Sequence, residues 1–137
     1  MTSAVAYPAD PPSTASATLV MAGLGVMFSA GDGGNVLVVV TCDAFTATGS
    51  VNMTVGGRFG TGAPPNNGDA VSGSRFGAVN DKTLRPAGTT GGVGVTLADV
   101  VHLTPGTNYW FDLAFSTSNA SDAATLQSVG VVLAEAL

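Results

Sequence analysis

The side chains that most often carry catalysis are sparse in this chain. Among 137 residues there is one histidine, His102, and one cysteine, Cys42. A hydrolase needs a nucleophile, a base and a group that orients the base. His102 lies between Val101 and Leu103 in a strand-like run, and no Gly-x-Ser-x-Gly elbow accompanies it. Cys42 closes the run Val38-Val39-Val40-Thr41-Cys42, where it reads as a small buried hydrophobe rather than a reactive thiol. One cysteine allows neither an internal disulfide nor a zinc-type Cys/His cluster. The nine carboxylates are scattered, with no pair placed for glycoside chemistry and no set placed for a metal. Gly60-Thr-Gly62 and Gly92-Val-Gly94 are fragments of phosphate loops at most. Prolines follow the first where a helix would have to start, and the second lacks a third glycine. The expectation is a non-enzymatic protein without catalytic residues, cofactor or metal.

Two groups of residues remain that could meet a partner. Arg58, Arg75, Lys82 and Arg85 are the whole basic complement, and seven of the nine acids fall outside the window 58–85. If the loops after Phe59 and Val79 meet at one end of the fold, that end is relatively positive and suits an acidic neighbour; solvated loop charges are the plain alternative. The other group is N-terminal. Residues 1–17 hold Pro8, Pro11 and Pro12 among Ala, Ser and Thr, with Tyr7 as the one aromatic. Such a composition favours extended backbone with no core of its own, so the expected division is an arm over 1–17 and a folded domain over 18–137. Extended, the arm reaches roughly 55 Å at about 3.3 Å per residue, enough to lie across a neighbouring subunit with Tyr7 as anchor. Its removal is expected to leave the fold intact.

Composition points the same way. The chain is 45% hydrophobic but only 9% charged, against about 25% charged in an average soluble protein. A surface of Ser, Thr, Asn, Gly and Ala suits one that neighbours cover, in a homo-oligomer or a lattice; a surface that is simply soluble is the alternative. With a net charge of −5 and four basic residues, few phosphates can be neutralised, and no nucleic-acid partner is expected. The longest aliphatic run, 36–40, is far short of a spanning helix, and no positive n-region opens the chain, so no membrane partner is expected.

The elements that must carry these residues are strands. From Thr18 onward, runs of Val, Thr and aromatics are broken by Gly and Asn/Asp about every ten residues. Strands are expected over 19–28 (one long or bent strand interrupted by Gly23 and Gly25), 35–45 with its valine run buried on both sides or nearly so, 50–59, 70–79, 92–97, 100–103 and 108–116. Loops are expected over 60–68 and 80–88. In 108–116, Tyr109, Phe111, Leu113 and Phe115 share one face and Trp110, Asp112 and Ala114 the other. The last run, 126–137, reads as strand over helix because Val129, Val131 and Val132 surround Gly130. About seven to eight antiparallel strands and no long helix give an all-β fold, a β-sandwich of jelly-roll type with an extended N-terminal arm.

Three segments carry a family likeness: Arg58-Phe-Gly-Thr-Gly-Ala-Pro-Pro-Asn-Asn-Gly68, Gly73-Ser-Arg-Phe-Gly77 and Leu103-Thr-Pro-Gly-Thr-Asn-Tyr-Trp-Phe-Asp-Leu113. Together they resemble jelly-roll cement, decoration or fibre-head proteins of tailed bacteriophages, and within that group the cement proteins of short-tailed Bordetella-type phages. The resemblance implies a virion structural protein on the capsid outer surface. It would clamp the major capsid protein from outside and associate with itself as a dimer or trimer. The alternative it implies is a receptor- or carbohydrate-binding head domain of a fibre, for which exposed aromatics, here Trp110 and Tyr7, would serve as platforms. The shared segments are turns and core strands, so no residue is carried over as a family binding residue.

Overall fold

Ten strands form among the residues that the computed structural model describes, 2–49, 51–87 and 92–136. They are β1 (Ser3–Ala6), β2 (Val20–Met21), β3 (Val26–Ser29), β4 (Asn35–Thr46), β5 (Met53–Thr61), β6 (Ser74–Phe76), β7 (Lys82–Leu84), β8 (Val93–His102), β9 (Asn108–Thr117) and β10 (Ala124–Glu135). The expected strand ends at 50 and 137, the loop end at 88 and Met1 of the arm lie outside the described residues. A four-stranded sheet runs β1-β10-β4-β8 and a six-stranded one β2-β9-β5-β6, with β3 also pairing with β9 and β7 with β5. Every pairing is antiparallel. The fold is an all-β sandwich.

Period-two alternation explains which side chains fill it. Along β4, Val36, Val38, Val40, Cys42 and Ala44 are all buried, while the residues between them turn outward. Inside, Val38, Leu97 and Leu133 of the first sheet share one core with Val55, Phe111, Leu113 and Phe115 of the second. Phe111 is its aromatic hub, stacked on Phe59 at 5.7 Å and edge-on to Phe76 at 6.0 Å. Both spacings suit ring packing. Cys42 is buried, and its thiol is pushed up to about 11 by that burial and then by the neighbouring Asp43 carboxylate.

Several elements differ from the sequence expectation. The bent strand over 19–28 is two strands, because Gly23 and Gly25 take left-handed φ values of 77° and 66° that break the ladder between β2 and β3. The runs 92–97 and 100–103 are one strand, β8, because β4 offers a continuous ten-residue ladder opposite them. Of the expected 70–79 strand, Ser74–Phe76 pairs with β5 and Ala70 makes a single bridge to Val20, and β7 lies inside the expected 80–88 loop. β10 carries a bulge between Gln127 and Gly130, with Ser128 at φ 53°.

The arm is docked, but on its own domain. β1 is the edge strand of the four-stranded sheet, paired with β10 from Ser3↔Ala134 to Ala6↔Val131. Thr14 and Ala124 exchange two backbone hydrogen bonds at 2.9 Å, and Pro11 and Thr14 are buried. Residues 11–14 thus belong to the sandwich, against the expectation that 1–17 contribute nothing to it. Deleting residues 2–16 is expected to strip the β10 edge and lower the melting temperature by several degrees, since losing even 1 kcal/mol moves a domain of this size by about 4 °C. An unchanged melt in differential scanning calorimetry would contradict this.

Glycine in β5 makes room for larger neighbours. A Cβ on Gly57 would lie 2.6 Å from the Phe76 ring, and one on Gly60 would lie 2.6 Å from Trp110. Gly60→Ala is therefore expected to cost about 1–3 kcal/mol through overpacking. Because Trp110 is the sole tryptophan, its emission should shift as the ring is displaced, which a fluorescence-monitored urea titration would read directly.

Candidate interaction surface

The four basic residues lie on or beside β5, β6 and β7, with Arg58 and Arg75 meeting at Asp81, but they do not make one exposed patch. Arg58 is 2% exposed on β5. Its guanidinium grips the Asp81 carboxylate through two bonds of 2.7 and 2.8 Å and also donates to the Gly57 carbonyl at 2.9 Å. A side chain at Gly56 would collide with that carboxylate, so glycine there is what admits the pair. Arg58 is therefore not accessible to a partner, contrary to the sequence expectation: the alternation of β5 turns it outward, but the Asp81 segment closes over it. The Arg58 hydrogen bonds hold the Asp81 carboxyl below its ordinary range, against the opposing effect of burial. Arg75 is half-exposed and reaches the same carboxylate at 3.4 Å. Lys82 donates to the Thr96 carbonyl of β8 at 3.1 Å. Arg85 is exposed just beyond β7 and is also engaged within the chain.

Most of the outer face of the six-stranded sheet is covered by the chain itself, with Met27 of β3 left 44% exposed at its margin. The loop after β5 passes from β5 across β9 to the far side of β2, where Met21 donates to Asp69 and Gly68 to Met21, each at 2.9 Å. Beneath this covering, Trp110, Ala114 and Met21 form a second small core, and the Trp110 indole donates to the Thr61 carbonyl at 3.1 Å. Asp112 is buried there too, accepting from the backbone N–H groups of Gly23 (2.9 Å), Leu24 (3.0 Å) and Leu113 (2.7 Å). Burial raises its pKa, and those three donors only partly offset the rise. Trp110, proposed from sequence as an exposed platform, is 3% exposed and cannot serve as one.

The outer face of the four-stranded sheet is bare among the described residues. Two cross-strand rows run over it: Val5–Val132–Val39–Ala98, and Ser3–Ala134–Leu37–Val100. Val5 and Val100 are 59% and 57% exposed, Val132 and Leu37 about 40%. Tyr7, 83% exposed, continues the face, its ring edge 3.7 Å from where a Cβ on Gly130 would stand. Of the sequence-proposed arm residues, Tyr7 thus lies at the surface beside this face, Pro8 is half-buried, Pro11 is buried and Pro12 is exposed. The valine run of β4 was expected to be covered on both sides; it is covered on one. Contiguous exposed apolar area of this kind marks interaction surfaces.

The free edge of that sheet, by contrast, is blunted. The Thr96 carbonyl is taken by Lys82. Asp99 accepts from the N–H of Val100 at 2.8 Å and of Gly77 at 3.0 Å. Such charged caps discourage strand addition. A shallow hollow of about 440 Å³ lies beside it, lined by Arg75, Ala78, Val79 and Asp99. Among the described residues no group of three or more His, Cys, Asp or Glu side chains could hold a metal ion, and no buried side-chain polar atom lacks a hydrogen-bond partner. His102 is exposed, its ring Nδ1 3.0 Å from Asn35 Oδ1, with no carboxylate or nucleophile bonded to it. No helix is long and apolar enough to cross a membrane among the described residues. Comparison with protein-family models and with curated proteins finds no match.

Proposed function

We propose that this chain is a non-enzymatic virion structural protein, a capsid cement or decoration protein of jelly-roll type that binds the outside of the major capsid lattice. The observation that carries the reading is the contrast between the two outer faces. One is largely covered by the chain's own loop, with Met27 exposed at its margin, while the other presents valine, leucine and tyrosine across all four strands in a chain with only 9% charged residues. Polar groups inside the fold are spent on holding it together: Asp112 fixes residues 23–24, Asp81 holds Arg58, and Glu135 accepts from Gly33 at 2.7 Å and Thr2 at 3.2 Å. What is left for solvent suits association rather than reaction. The test is co-sedimentation of the purified chain with expanded lattices of the major capsid protein encoded in the same genome. Binding, together with a rise in the lattice's disruption temperature, is the expected result; a chain that stays in the supernatant at all concentrations refutes the reading. A fibre-head role loses support from Trp110, because its burial leaves Tyr7 alone as an exposed aromatic platform of the two proposed.

A further inference from the structure

We infer that the bare face of the four-stranded sheet is a two-fold interface with a second copy of this chain; the inference rests on the assembly reading above and names the surface that self-association uses. Three observations converge on a copy as the occupant. The first is area. Four strands about 4.8 Å apart and averaging roughly nine residues, at about 3.3 Å per residue, give a whole face of about 600 Å², its polar margins included, before side-chain relief and the Tyr7 rim are added. A standard stable interface takes about 800 Å² from each partner.

The second is charge. The chain carries −5, so two copies repel least where acids are absent. On this face the carboxylates stand at the margins: Asp43 pairs in register with Gly94 and Gln127 beyond the apolar rows, and Asp10 accepts from the Ser128 N–H at 2.9 Å beside the bulge. All four basic residues lie on or beside β5, β6 and β7 in the other sheet. A charged partner would therefore find no complementary group here, whereas an apolar face is complementary to itself, as an isologous contact requires. The third is shape. Val5, Val39, Val100 and Val132 make a low, β-branched surface spanning all four strands. Two sheets of such side chains stack at about 10 Å, as the layers of a sandwich do. The apposed sheets would bury together the strands that the fold leaves half-covered, β1 and β10 among them.

The experiment is sedimentation equilibrium of the full chain from about 1 to 100 µM, a range that brackets a micromolar dissociation constant, beside Val100→Lys and Val132→Lys. Both positions are at least 40% exposed, so the variants should fold, which a thermal melt verifies. Wild type is expected to sediment at twice the chain mass, with the dissociation constant raised at least about tenfold in each variant. A wild type that remains monomeric throughout, or variants that dimerise as well as wild type, overturns the inference. The capsid co-sedimentation assay separates it from the function proposed above. A dimer that ignores capsid lattices keeps the inference and loses the function. A monomer whose lattice binding is abolished by Val100→Lys keeps the function and shows that the lattice, not a copy, covers this face.

Discussion

Asp81→Ala is expected to cost about 3–5 kcal/mol, because it leaves the Arg58 guanidinium buried without its counter-charge. Both side chains of this pair are nearly enclosed, with 3% and 8% of their surfaces exposed. The loss has a built-in control. Replacing both partners, Arg58→Met with Asp81→Leu, should recover most of it, since an apolar pair of similar volume avoids the desolvation that the ions incur. Urea titrations at neutral pH would rank the three proteins, and a double variant as unstable as Asp81→Ala would sink the argument. Acid supplies a second readout. The Asp81 carboxyl lies below its ordinary value because Arg58 holds its ionised form. Its contribution to stability is thus present above the ordinary carboxylate range and is lost as the pH falls through the lowered value. Asp112 acts in the opposite direction: its raised pKa means that its contribution is full below the ordinary range and is lost as the pH rises through the raised value. The double variant keeps Asp112 but lacks Asp81, so its stability should fall less than that of wild type on acidification.

Phe111→Ala is expected to destabilise the sandwich by a similar amount, about 3–5 kcal/mol. The ring is 1% exposed and lies between Phe59 and Phe76, so its removal leaves a cavity that two aromatic neighbours line and that the paired strands around it cannot collapse to fill. Phe111→Leu, which keeps most of the volume, should cost less than half as much. Equal costs for the two variants in denaturant titrations, or a Phe111→Ala protein as stable as wild type, would mean that this ring is not the centre of the core.

How far each residue could be read from sequence depends on how local its determinants are. The inward direction of Phe111, Leu113 and Phe115 follows from strict alternation, which any strand obeys whatever it pairs with, and the burial of Cys42 follows from the same period along β4. The fate of the opposite faces does not. Trp110 and Asp112 alternate like exposed residues, and they are enclosed only because residues 23–24 close on Asp112 and the loop after β5 returns over Trp110. Arg58 reads as a surface charge until Asp81, 23 positions later, closes on it. The docking of the arm is hidden for the same reason, since β1 owes its place to β10, far along the sequence. The outward valines were hidden differently: a run such as 36–40 looks identical whether one or both sides are covered. The candidate surface is therefore legible in the sequence only in Tyr7, which is exposed beside it.

The pairing of β1 with β10 also sets an order in time. During synthesis Ser3–Ala6 emerges early, but its ladder partner over residues 131–134 does not exist until nearly all of the described chain has been made. β4 waits as well, for β8 and then for β10. The six-stranded sheet can close once β9 is complete, whereas the other must hold β1 unpaired and β4 with β8 alone beside it until residue 135 is free of the ribosome. Contacts this distant in sequence form slowly, and unpaired apolar strands aggregate while they wait. Yield on expression should thus be limited by how long nascent chains stay unfinished, and slower translation of residues 117–135 is expected to send more of the protein into inclusion bodies.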